Sequence, residues 1–131
     1  MTILSILLAS LASMILGSIW YSPKVFLHPW LKGIQKPIEM INKKASFKAM
    51  IGSFFLVLLT AYVLNFFLDI LQVTSILNAI MVAVIISVGF VTTTRAMDVL
   101  YQQRPKNLIL IDGAYNLISF AIMSIVLVLF K

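Results

Sequence analysis

Apolar residues fill four long stretches of this chain, and the charged residues fall almost entirely between them. The stretches are roughly Thr2–Tyr21, Ala49–Leu71, Ile76–Thr94 and Leu108–Phe130. Each is close to the ~20 residues that a helix needs to cross a hydrocarbon core. None alternates in polarity with period two, which argues against barrel strands. The pattern predicts an all-α integral membrane four-helix bundle, built as two antiparallel helical hairpins in a single transmembrane domain over 1–131. A basic interfacial loop covers 22–48. The short gap Gln72–Ser75 should force the second and third spans to be antiparallel neighbours.

Composition strengthens this reading. The chain has 131 residues, 62% hydrophobic and 11% charged, where a soluble domain carries about 25% charged residues. Helices that are apolar all round belong in lipid or in a large core, and a chain this short cannot supply such a core for four of them. There is no cysteine, which excludes disulfide and thiol chemistry. The first span has no basic residue ahead of it, so it is expected to be a retained helix rather than a cleaved signal.

Charge sets an expected orientation. The first gap carries Lys24, Lys32, Lys36, Lys43, Lys44 and Lys48 against Glu39, and the third carries Arg95, Arg104 and Lys106 against Asp98. Basic residues are retained on the cytoplasmic side. Both gaps should therefore face the cytoplasm and both termini the other side of the cytoplasmic membrane. The net charge of +6 is placed to set topology and meet anionic lipid headgroups, so lipids are the expected partners and nucleic acid is not. A homo-oligomer or a membrane protein partner stays open.

Small residues recur at four-residue spacing: Ala9, Ser13 and Gly17; Ala79, Ala83 and Ser87; and, around Val57, Ser53, Ala61 and Asn65. Such stripes let helix backbones approach closely, the contact that drives association in lipid. The interface they serve lies either within one chain or between subunits.

Asp112 is the polar residue that most needs explaining. It falls about one turn inside the fourth span, where an ionised carboxylate is costly unless paired, hydrated or protonated. Arg95 lies at similar depth and can reach it. Three roles are open: a structural pair or helix-start charge, an aspartate in headgroup water, or a proton or substrate site. Tyr115, Asn116 and Ser119 share its helix face, and Thr92, Thr93 and Thr94 precede Arg95. Together these form either a polar pocket or a set of interhelical hydrogen bonds. Asp112, Tyr115, Asn116 and Arg95 are thus the candidate substrate-binding residues. Asn65 should seek a partner across a helix interface, and Asp69 should reach interfacial water.

The first span closes on an aromatic, proline-bounded motif of Trp20, Tyr21, Pro23, Phe26 and Trp30. Trp and Tyr prefer the headgroup level, and Pro23 should end the helix. The stretch Lys24–Lys32 is expected along the membrane surface, with Phe26, Leu27, Trp30 and Leu31 inward. Ile38–Lys48 reads as a short basic helix running into the second span. His28, the single histidine, has no local partner and reads as a surface residue. One histidine, no cysteine and four scattered acids make a poor metal-ligand set, and no cofactor fingerprint is present.

Two blocks carry a resemblance: Gly17-Ser18-Ile19-Trp20-Tyr21-Ser22-Pro23 with Phe26 and Trp30, and Arg104-Pro105 followed by Leu108–Asp112 and Gly113-Ala114-Tyr115-Asn116. In this order they resemble a bacterial membrane family named domain of unknown function 1761, over essentially the whole chain. The resemblance implies a small four-span protein and supplies no activity. It draws attention to Trp20, Tyr21, Pro23, Trp30, Arg104, Pro105, Asp112 and Tyr115. This chain departs from the family at Leu27-His28-Pro29, where members often place a glycine. Three functions compete: a non-enzymatic structural or partner-binding subunit, a small oligomeric transporter with a polar site around Asp112, and a membrane enzyme acting on a lipid-like substrate.

Overall fold

The computed structural model describes residues 3–37 and 43–130, and among these every regular element is helical. They are α1 (Ile3–Trp20), α2 (Leu27–Ile34), α3 (Lys43–Ile70), α4 (Ile76–Tyr101) and α5 (Asn107–Leu129). All but α2 are long and apolar enough to cross a membrane. The start of the basic helix expected over Ile38–Lys48 lies outside the described residues; from Lys43 it is continuous with α3.

α5 is the hub. It packs along α1 on one side and α4 on the other, and it also touches α2 and α3; α1 packs on α3 as well. α3 and α4 touch only sparingly despite the short turn between them. A cleft of about 250 Å³, lined by Leu59, Val63, Phe67, Ile86 and Phe120 among others, opens between them. The short connection therefore fixes where the two helices meet and leaves their faces largely apart.

The small-residue stripes explain this arrangement. Ala9 and Ala79 are fully buried in a core with Ile6, Ala61, Leu64, Leu68, Val73, Met123 and Leu127. Lipid tails are as apolar as leucine, so these contacts hold by close packing rather than by escape from water. Two stripes are thus settled as contacts within one chain. The third is divided: Ala61 and Asn65 are buried, and Ser53 is exposed.

Three helices end on a glutamine in the left-handed region: Gln35 (φ 60°), Gln72 (φ 54°) and Gln103 (φ 54°). In each case the next residue's N–H reaches back to a carbonyl of the last turn: Lys36 to Leu31, Val73 to Leu68, and Arg104 to Val99. This is the Schellman closure, usually made with glycine.

The third apolar run stops at Thr94, yet α4 continues to Tyr101. Val99, fully buried, anchors the extension. Arg95 is consequently a mid-helix residue rather than the first of a loop.

Candidate functional site

The end of the molecule that carries most of the lysines and arginines also holds its best-connected polar cluster. Asp112 lies in the second turn of α5 and is 7% exposed. Its Oδ1 accepts a hydrogen bond from the Tyr21 hydroxyl at 2.6 Å. Its Oδ2 accepts from Arg95 Nε at 3.0 Å and lies 3.0 Å from Arg95 Nη2. The guanidinium converges on one oxygen and leaves the other to tyrosine, so the carboxylate joins the end of α1, the last segment of α4 and the start of α5. Charge-assisted bonds of this kind are about twice as strong as neutral ones. The helix-start role for Asp112 does not apply, because the first turn of α5 contains no acidic residue.

Aromatic rings enclose the cluster. Trp20 Nε1 donates to the Ile111 carbonyl at 3.1 Å. Tyr21 meets Tyr115 edge-on at 5.3 Å and Trp30 at 5.5 Å, and Trp20 packs on Phe26 at 4.7 Å. The Tyr115 hydroxyl donates to the Ser13 carbonyl at 3.3 Å, and one turn further along α5 Ser13 and Ser119 share a 2.6 Å hydrogen bond. Gly17 admits the tyrosine: a Cβ there would lie 3.0 Å from its hydroxyl. The amphipathic helix α2 caps this end, with Leu31 buried and Gly33 against Leu108. A Cβ at Gly33 would come within 2.5 Å of the Leu108 side chain. α2 therefore spends much of its inward face on α5.

Arg95 reaches Asp112 because α4 is irregular. The helix is α-helical over Ile76–Ile86, π-helical over Ser87–Thr92, and α-helical again over Thr93–Tyr101. At ~100° per residue, a straight helix burying Ala79, Ala83 and Ser87 would next bury Phe90, Thr94, Met97 and Tyr101. All four are exposed. The inward positions are instead Val91, Arg95 and Val99, one or two residues later. A π turn inserts about one extra residue and winds the face back onto α5.

The threonines respond to the same irregularity. Thr93 Oγ1 donates to the Gly89 carbonyl at 2.8 Å, and Thr94 Oγ1 to the Phe90 carbonyl at 2.6 Å. These side chains satisfy backbone that lipid cannot. Of the two alternatives, a polar pocket or interhelical hydrogen bonds, Thr93 and Thr94 enter neither, since both are exposed and bonded within α4. Thr92 alone turns toward α5, where it packs beside Gly113.

The remaining predicted positions divide. Arg95, Asp112 and Tyr115 come together, and Asn116 is half-buried without joining the carboxylate. Asn65 finds its partner inside α3, donating to Asp69 Oδ2 at 3.2 Å, not across an interface. His28 is exposed on α2, and Pro23 is exposed in the turn after α1. Tyr21 is the residue that sequence reasoning undervalues: it is expected there only as a headgroup-level aromatic, and it occupies one of the two carboxylate oxygens. Among the described residues no three His, Cys, Asp or Glu side chains gather where a metal could be held.

A family model described as a protein of unknown function, DUF1761, matches the chain over residues 4–128. The chain belongs to this family. No curated protein matches it, and no solved structure does. For DUF1761 the family assignment thus accompanies a membrane architecture and assigns no reaction.

Proposed function

We propose that this protein is a non-enzymatic helical membrane subunit, and that the Asp112 cluster is a clasp holding its helices together rather than a site that loads a substrate. The observation that carries the reading is the saturation of the carboxylate: Tyr21 takes one oxygen and Arg95 the other, with the side chain 10% exposed. A transport site would need an intramembrane charge free to exchange partners, and such sites lie near the midplane. This one lies near one end of α5.

Asp112→Asn tests the reading. It leaves Arg95 without its counter-charge and should cost about 1.5–3 kcal/mol of stability, the range for hydrogen bonds to charged groups. The measurement is thermal unfolding of the full chain in lipid nanodiscs. Neutralising Arg95 as well should recover part of the loss. Unchanged melting together with lost solute or proton flux in vesicles would replace the clasp with the transporter reading.

The lysine-rich end is proposed to face the cytoplasm, with both termini on the opposite side, because Lys24, Lys32, Lys36, Lys44, Lys48, Arg95, Arg104 and Lys106 all belong to it. A cysteine at Gln103 should resist an impermeant reagent in intact cells. Its labelling would reverse the orientation.

A further inference from the structure

We propose that a wedge between α1 and α3 at the lysine-rich end holds an acyl chain of one anionic glycerophospholipid, with the phosphate among the lysines of that end. This needs only that the lysine-rich end lies at a bilayer surface. It stands whether or not Asp112 is a clasp.

α1 and α3 share a core toward the other end, where Ile6 and Ala9 meet Ala61, Leu64 and Leu68. Toward the lysines α3 leaves the rest of the molecule. Every residue from Lys44 to Ser53 is exposed, including Phe47, Met50 and Ile51. The helix has 28 residues, or about 42 Å at 1.5 Å per residue, against ~30 Å of hydrocarbon. Its basic start therefore reaches the headgroups while its next turns stay within lipid.

The space left between the helices is a cleft of about 320 Å³ lined by Met14, Gly17, Ser18, Tyr21, Met50, Ser53 and Tyr115. That volume falls in the usual range for ligand sites, roughly 300–1,000 Å³. Gly17 and Tyr115 form the floor together, the tyrosine ring and hydroxyl packing where a Gly17 side chain would lie. The walls are methionine and glycine with a few hydroxyls, a surface suited to hydrocarbon and glycerol rather than to a soluble solute.

Charge selects the occupant, since Lys24 follows the lining residue Tyr21 by three positions and Lys48 precedes Met50 by two. Six lysines and one glutamate lie between the end of α1 and residue 48, and Lys24 and Lys48 are exposed. A second copy of this chain would bring its own lysines against them, a like-charge approach that costs energy. An anionic lipid brings the complementary charge and the apolar tail together.

The test is native mass spectrometry of the full chain, titrated in neutral detergent with equal phosphatidylglycerol and phosphatidylcholine. One phosphatidylglycerol should be retained preferentially. Lys24→Gln and Lys48→Gln should each weaken it about fivefold, the effect of one basic residue near an anionic surface. Ser53→Trp fills the wedge at an exposed position without altering charge, and should abolish retention of that one lipid while melting is unchanged. Ser18→Phe is a second filler on the facing helix and should do the same. Equal retention of phosphatidylcholine would overturn the proposal. So would retention unaffected by both fillers, which would mean diffuse attraction only, or disulfide bridging of two copies through Met50→Cys in bilayers.

Discussion

The two ends of this molecule are held together by different physics. At the end opposite the lysines, α1, α3, α4 and α5 meet through alanines, leucines and Met123 in an apolar core. At the lysine-rich end α3 has left, and α1, α4 and α5 are joined by Tyr21, Arg95 and Asp112, with α2 laid against α5. In lipid the hydrophobic effect does not favour one apolar contact over another. The first end therefore relies on closeness of fit and the second on directional charge-assisted bonds. The contrast also explains why the polar residues gather where they do: near an interface a carboxylate and a guanidinium cost less than at the bilayer centre.

The largest predicted effect tests the end with directional bonds. Inserting one alanine after Gly89 should turn Arg95 and Val99 about 100° off α5. Both the ion pair and a buried side chain are then lost, and a destabilisation of at least ~3 kcal/mol is expected, as for breaking a buried pair. Deleting Gly89, an exposed residue with nothing near its missing Cβ, should do little. The π turn becomes a plain α turn and Arg95 stays in register. Unfolding of both variants in nanodiscs gives the comparison. Equal damage from insertion and deletion would mean that the π turn does not set the register.

A smaller effect probes the close-packed end. Ala9→Leu adds three carbons at a fully buried position and should destabilise by about 1–3 kcal/mol through overpacking. Because no charge is involved, the loss should be the same in low and high salt. A salt-dependent loss would show that the two ends are energetically coupled.

Much of this architecture is legible in the amino-acid sequence. The Asp112–Arg95 pair is one of the roles the sequence leaves open for Asp112, because two opposite charges at similar depth in a membrane helix pair have few other partners. Tyr21 is hidden by its neighbour: Trp20 and Tyr21 both fit a headgroup belt, and nothing local distinguishes the one that bends back to a carboxylate. The π turn has a faint signal. The small-residue stripe Ala79, Ala83 and Ser87 continues by fours to Val91, Arg95 and Val99. Each step of four drifts about 40° around an α-helix, so a stripe that long needs a correction somewhere. The failed expectations share a cause. Thr93, Thr94 and Asn65 are expected to have partners on other helices and find them on their own, where a carbonyl or carboxylate four residues away needs no tertiary contact.

What the sequence determined by itself is the set of membrane-crossing helices and the end where charge collects. Length and apolarity decide insertion residue by residue, and charge excluded from hydrocarbon has nowhere else to go. Only the tertiary structure decided that α5 is the hub, that α3 and α4 stand apart despite a short turn, and that Tyr21 closes the carboxylate. Those outcomes depend on which faces fit one another, and in lipid every apolar face is equally soluble until a neighbour of matching shape arrives.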